Sequence, residues 1–264
     1  MKKVLCVLLT AFLLIGFSAC NNTAKPDEPD SKPQSSSEQS SSDSEPEVKK
    51  ELNQDLLSDI GLTYSQLVEK HGKLILRSGS MVLKIYKRSV ITENHLDFPE
   101  KIFYEDNCAG PLWSLYFTHF ERVEEPLYYY YQHEVSTVHT ITEEKCRDRM
   151  AAAALLYAEC KKRGFLEEYH RELEYRFTEL YYVITLFTYL QGMKHPKLSF
   201  VKELRKGIIE HFPDFQENPY YLQYTGAEEK QLIAMQGKSD FKFFLYYRLK
   251  LWVRRMKKSR GAKI

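Results

Sequence analysis

Phe103-Tyr104-Glu105-Asp106 is where side-chain types and spacing in this sequence suit chemistry. Two aromatic residues end at two adjacent carboxylates, and a largely apolar run from Cys108 to Phe117 follows. Asp106 is placed to cap a helix running to about Phe117, where the partial positive charge of the helix N-terminus favours a carboxylate. Pro111 suits that helix only near its start. Residues 122–131 are rich in Tyr and Val, with Pro126 marking an edge or bulge, and they read as a strand. A carboxylate at a helix N-terminus and at the mouth of a sheet is well placed as a general base. The same position also suits a plain cap, and the residues alone leave both roles open.

The elements that would position this pair lie behind a leader and a linker. Residues 1–20 read MKKVLCVLLTAFLLIGFSAC. Lys2 and Lys3 precede an apolar stretch, Val4 to Phe17, that is shorter than the roughly 20 residues a membrane-spanning helix needs. The pattern predicts a secretory signal peptide. Its ending, Phe17-Ser18-Ala19-Cys20, resembles the lipobox of bacterial lipoproteins. That resemblance implies cleavage before Cys20, lipidation of its thiol, and display on the outer face of the cell membrane. Residues 21–50 carry eight Ser, four Pro and seven acids against four Lys. Such a segment buries too little apolar surface to offset its ordering entropy, and it predicts a disordered tether.

Composition limits the function classes. The chain has 264 residues, with 38 Lys and Arg against 36 Asp and Glu, for a net charge of +2. That balance does not point to a nucleic-acid partner. Five Cys, with no Cys-x-x-Cys and no His-x-x-x-His, do not suggest a metal site. Tyr 19 and Phe 15 against Trp 2 put many rings in a core or a groove.

Residues 51–80 form a short segment with one clear helix start. Thr63 and Gln66 have capping-box spacing, with Leu62 and Leu67 as a hydrophobic staple. Gly72 suits the position after a helix end, which makes His71 a solvated terminal residue. Leu74-Ile75-Leu76 then reads as a brief strand. Helices are predicted at about 143–163, ended by Gly164, and at about 165–191, with apolar steps of three and four. Others follow at Phe200 to His211, after a capping box at Thr225 to Glu228, and at about 240–258. Cys146 and Cys160 lie about 21 Å apart on one helix at about 1.5 Å per residue, so they cannot bridge. With Cys108 they leave three thiols that suit a reducing compartment. From Arg248 to Lys263 there are eight basic residues and no acid. With Leu249, Leu251, Trp252, Val253 and Met256, the helix 240–258 reads as a basic membrane-surface helix, or as a packed helix with a solvated basic end.

The series Lys84-Ile85-Tyr86-Lys87-Arg88, Phe98-Pro99-Glu100, Tyr104-Glu105-Asp106 and Pro126-Leu127-Tyr128-Tyr129-Tyr130 resembles, in this order, the second half of bacterial family 2 glycosyltransferases. The likeness is sharpest over residues 81–140 and extends to 264. It implies an α+β, helix-rich fold: a GT-A-like unit reduced to a small sheet and C-terminal helices. It implies that Asp106 is the catalytic base, with Glu105 beside it, removing a proton from an acceptor hydroxyl that attacks a nucleotide sugar with inversion. It also implies a glycan acceptor of the envelope and, for an intact member, Mg²⁺ or Mn²⁺.

The departures are specific. Where the family carries two arginines and a glycine, this chain has Gln132, His133, Glu134, Val135 and Ser136. His133 and Ser136 remain as substrate hydrogen-bonding candidates, though a neutral imidazole is a poor substitute for a guanidinium fork. No Asp-x-Asp occurs in the sequence, so no metal-bound donor site is expected and no cofactor is assigned to the chain as written. The sequence thus reads as a lipoprotein leader joined to the acceptor-side half of a transferase, inactive as written. Expressed without the leader, that half would work at the cytoplasmic membrane face. The alternative is a non-enzymatic, membrane-anchored surface lipoprotein that binds a partner.

Overall fold

A computed structural model describes residues 62–77, 80–129, 131 and 140–261, with side chains up to Lys257. The leader, the linker, Cys20, His133 and Ser136 lie outside the described residues.

Helix α1 spans Tyr64–Arg77. The Thr63 N–H donates to Gln66 Oε1 at 2.9 Å, and Thr63 Oγ1 accepts from the Gln66 N–H at 3.3 Å, so the capping box forms. The helix does not stop at Gly72. That glycine sits against Glu172, whose Oε1 would lie 3.1 Å from an added Cβ. Its use is close approach between helices, and residues 74–76 continue α1 instead of forming a strand. Leu67, His71 and Ile75, four apart, are its buried face.

A 3₁₀ turn at Met81–Leu83 and the short helix α2, Arg88–Glu93, lead to α3, Asp106–Ser114. Helix α4 covers Glu143–Lys162, with Thr142 Oγ1 accepting from the Lys145 N–H at 3.2 Å and Gly164 closing it at φ +80°. The predicted helix 165–191 is a rod of three consecutive parts, kinked at Tyr169, whose φ of −115° and ψ of 25° are not helical. These are α5 (Leu166–Phe177), a π-helical stretch (Thr178–Ile184) and α6 (Thr185–Gly192). Helix α7 (Leu198–His211), α8 (Pro219–Tyr224), α9 (Ala227–Lys238) and α10 (Asp240–Gly261) complete the chain. The start of α9 is one residue later than its sequence signal, and only half of a capping box forms, with Glu229 Oε2 accepting from the Gly226 N–H at 3.1 Å.

The expected α+β fold is corrected: among the described residues there is no strand, and every regular element is helical. Residues 121–129 run irregularly, with Leu127 70% and Tyr129 90% exposed. High β propensity reflects packing against neighbouring strands, and no ladder partner exists among the described residues. Among the described residues there is therefore no GT-A-like sheet remnant.

Two cores hold the bundle. One joins α1, α3 and the facing halves of α4 and α5 through Ile75, Leu112, Trp113, Leu156 and Leu173. The other joins α4, the π stretch and α6 to α7–α10 through Phe177, Leu186, Phe200, Ile233 and Phe243. Helix α4 and the α5–α6 rod run through both. Residues 62–77, read from the sequence as a separate segment, pack directly on α5 and α3.

Candidate functional site

The polar constellation lies where α3 opens. Asp106 is the first residue of α3 and is partly buried. Asn107 Nδ2 donates to Asp106 Oδ1 at 3.3 Å, while Asn107 Oδ1 accepts from Arg176 Nη2 at 3.0 Å. Arg176 Nη1 donates to Glu179 Oε2 at 2.6 Å. A chain of contacts thus runs from Glu179 through Arg176 and Asn107 to the Asp106 carboxylate. Burial holds the Asp106 carboxyl above its ordinary value, opposed by the Asn107 N–H and then by the charges of Arg176 and Lys84. Lys84 is itself pushed below the usual lysine value by burial, with Asp106 opposing. A carboxylate made more basic by burial, with the charges of Arg176 and Lys84 favouring its ionised form, meets the electrostatic requirement for a base.

Glu105 occupies the N-cap position, but its side chain makes no capping bond. Its backbone oxygen accepts from the Ala109 N–H at 2.9 Å.

The turn that feeds α3 is strained and clamped. Lys101 (φ 60°) and Tyr104 (φ 68°) occupy the left-handed region, at roughly 1–2 kcal/mol each for residues with a Cβ. Helix α4 holds this turn in place. Asp148 Oδ2 accepts from the Phe103 N–H at 3.3 Å, and the Arg149 guanidinium lies 4.3 Å from the centre of the Tyr104 ring. Arg149 is buried, and its Nη1 has no hydrogen-bond partner. Strain persists where the surroundings over-determine it, and such places cluster at functional sites. The rod that carries Arg176 turns π-helical at the next residue but one, with Thr185 Oγ1 bonding back to the Leu180 carbonyl at 2.7 Å. Single π turns inside α-helices are frequent at functional sites.

Two sequence expectations change here. The base was expected at the mouth of a sheet, and it stands instead at a junction of helices. His71 was read as a solvated helix end, yet it is 2% exposed. Its Nε2 lies 2.8 Å from the Phe117 carbonyl, so Nε2 carries the proton. Nδ1 then accepts from the Tyr169 hydroxyl at 3.0 Å. His71 is a core tie between α1, the end of the α3 segment and α5. Sequence reasoning also missed Arg176. Its one signal is an arginine between Tyr175 and Phe177 with Glu179 three residues on.

Comparison with family models, characterised proteins and solved structures finds no match. The site must therefore be judged on its own chemistry. The described neighbours of Asp106 do not suit a divalent metal. The sequence has no Asp-x-Asp, and no three His, Cys, Asp or Glu side chains converge among the described residues. Asp106 has cations and an amide for neighbours, not further carboxylates. What the arrangement can do is accept a proton at Asp106 while Asn107 and Arg176 hold that carboxylate in place.

Proposed function

We propose that this chain carries the acceptor side of an inverting sugar transferase, with Asp106 as the base that takes the proton of an acceptor hydroxyl on an envelope glycan. The observation that carries the reading is the Asp106–Asn107–Arg176–Glu179 chain, which orients a carboxylate whose basicity burial has raised. The order of the motifs between Lys84 and Tyr130 resembles that of family 2 glycosyltransferases and suggested the reading, although no family model matches the chain. In this reading Asn107 and Arg176 are positioning residues, and Glu105, whose side chain makes no capping bond at the helix start, is the companion carboxylate. The chain as it stands is inactive with nucleotide sugars. A general base contributes about 10²–10⁴-fold, and charge neutralisation at the diphosphate by metal is a separate and larger requirement.

Two measurements test the reading together. In heteronuclear NMR of the chain, fragments of bacterial envelope polysaccharide move the resonances of Asp106, Asn107 and the Arg176 side chain. Titration calorimetry with a panel of nucleotide sugars gives no heat, with or without Mg²⁺ or Mn²⁺. Resonances that stay put with every glycan reject the acceptor role. Micromolar, metal-dependent donor binding rejects the claim of inactivity.

A second reading is a membrane-anchored lipoprotein that binds a partner without catalysis. The helical architecture, with no strand among the described residues, favours it. Palmitate incorporation into the full chain, abolished by Cys20→Ser, tests the anchor on which it depends.

A further inference from the structure

Helix α10 is apolar on two opposite faces. One face is packed: Phe243 and Tyr247 are buried, and Phe244 and Leu251 are partly buried against α7, α9 and the rod. The other points away from the bundle. Phe241, Leu245, Leu249, Trp252 and Met256 recur at steps of four, four, three and four, with Tyr246 and Val253 beside them. All seven are exposed, from 38% at Val253 to 61% at Phe241. A single exposed leucine is ordinary, but a stripe of seven large apolar side chains over four turns marks an interaction surface.

Charge indicates what covers it. Residues 241–261 contain eight Lys and Arg and no acid. Glu228 of α9 takes Lys250 and, at 3.2 Å, Arg254. Lys242, Arg248, Arg255 and Lys257 form no ion pair among the described residues. At 100° per residue, Arg248 and Arg255 flank one edge of the apolar stripe and Lys250 and Lys257 the other. A shallow groove of about 360 Å³ runs along the second edge, lined by Tyr246, Leu249, Lys250, Val253, Arg254 and Lys257. No described helix is long and apolar enough to cross a membrane. An apolar face edged by Arg248 and Arg255 on one side and Lys257 on the other, none of them in an ion pair among the described residues, with Trp in the stripe, matches a helix lying in the plane of an anionic bilayer surface.

We infer that the outward face of α10 docks the folded bundle onto anionic phospholipid, with Trp252 and its apolar neighbours entering the headgroup–acyl boundary. This docking is separate from any lipid on Cys20 and does not depend on the role of Asp106.

The test uses the full chain and reads Trp252 directly. The leader has no Trp, and the other tryptophan, Trp113, is buried at 5% exposure. Vesicles of phosphatidylglycerol should shift Trp252 emission to the blue, and brominated phosphatidylglycerol should quench it. Partitioning should be at least about tenfold stronger than to phosphatidylcholine and weaken in about 0.5 M salt. The Leu245→Glu/Leu249→Glu variant, changed at exposed positions, should keep its helical circular dichroism and lose the shift. An equal response to both lipids would overturn the charge argument. No response to anionic vesicles would give the face to a protein partner and overturn the inference. So would a blue shift without vesicles that rises with protein concentration alongside a dimer mass.

Discussion

Replacing His71 with Ala tests whether α1 belongs to the same folded unit as the residues that follow. The imidazole is 2% exposed and bridges the Phe117 carbonyl and the Tyr169 hydroxyl, two groups 52 positions apart in sequence. The variant loses two hydrogen bonds and strands both partners, at about 1–3 kcal/mol for each buried group left unsatisfied. It also leaves a cavity beside Tyr169 and Phe120. Together these predict a loss of about 3–5 kcal/mol, or a fall in Tm of about 10 °C for a unit of this size. The pH dependence has a definite sign. Burial holds the His71 pKa below its ordinary 6.5. The unfolded state therefore binds a proton first as pH falls, and stability declines from about pH 6.5 downward until the folded value is reached. Thermal denaturation between pH 8 and 5, for wild type and His71→Ala, measures both effects. A loss under about 1 kcal/mol, or an acid slope unchanged in the variant, would mean that α1 does not pack as described and would refute the reasoning.

Other outcomes follow from the same structure. Arg176→Ala, which leaves the partly buried Glu179 without its cation, should cost about 3 kcal/mol in chemical denaturation. Gly207→Ala drives a Cβ into the Tyr181 hydroxyl and should cost about 1–3 kcal/mol, while Gly237→Ala, with nothing within 4 Å, should be neutral or stabilising. Burial lifts the Cys146 thiol to about 11 and the Cys108 thiol to about 12. Mass-resolved alkylation at pH 8 should therefore leave both unlabelled until the protein unfolds. Asp106→Asn should raise Tm at pH 7, because the ionised carboxylate is the disfavoured form in the fold. The gain should vanish as pH falls below the ordinary carboxylate range. A carboxylate kept only for the helix dipole would instead lose about 0.3–1 kcal/mol on that change.

Much of the helical frame could be read from local chemistry. Thr142 and Gly164 bound α4, and the steps from Leu166 to Leu190 follow the α5–α6 rod. The π stretch was invisible because spacings of three and four absorb one inserted residue without leaving the apolar face. The misread strands have a different cause. Leu74-Ile75-Leu76 was detached by a glycine whose use is clearance for Glu172, a neighbour 100 positions away. The tyrosines of 122–131 have strand-forming side chains, but at Tyr128 and Tyr129 they face solvent. For the site, a carboxylate before an apolar run revealed the start of α3. Nothing local revealed Arg176, which reaches Asn107 across 69 positions. His71 was misplaced for the same reason, since burial by distant elements leaves no trace in adjacent residues.

The central claim is that Asp106 is a prepared base on an acceptor surface. The carboxyl carbon of Asp106, assigned by comparison with Asp106→Asn, should be followed by NMR titration with and without envelope glycan fragments. The account predicts a midpoint above the ordinary 3.8 for an aspartate in the free protein, and a signal that moves when glycan is added at neutral pH. A midpoint at or below 3.8, with no response to any glycan, would make Asp106 a helix-end charge and contradict the account.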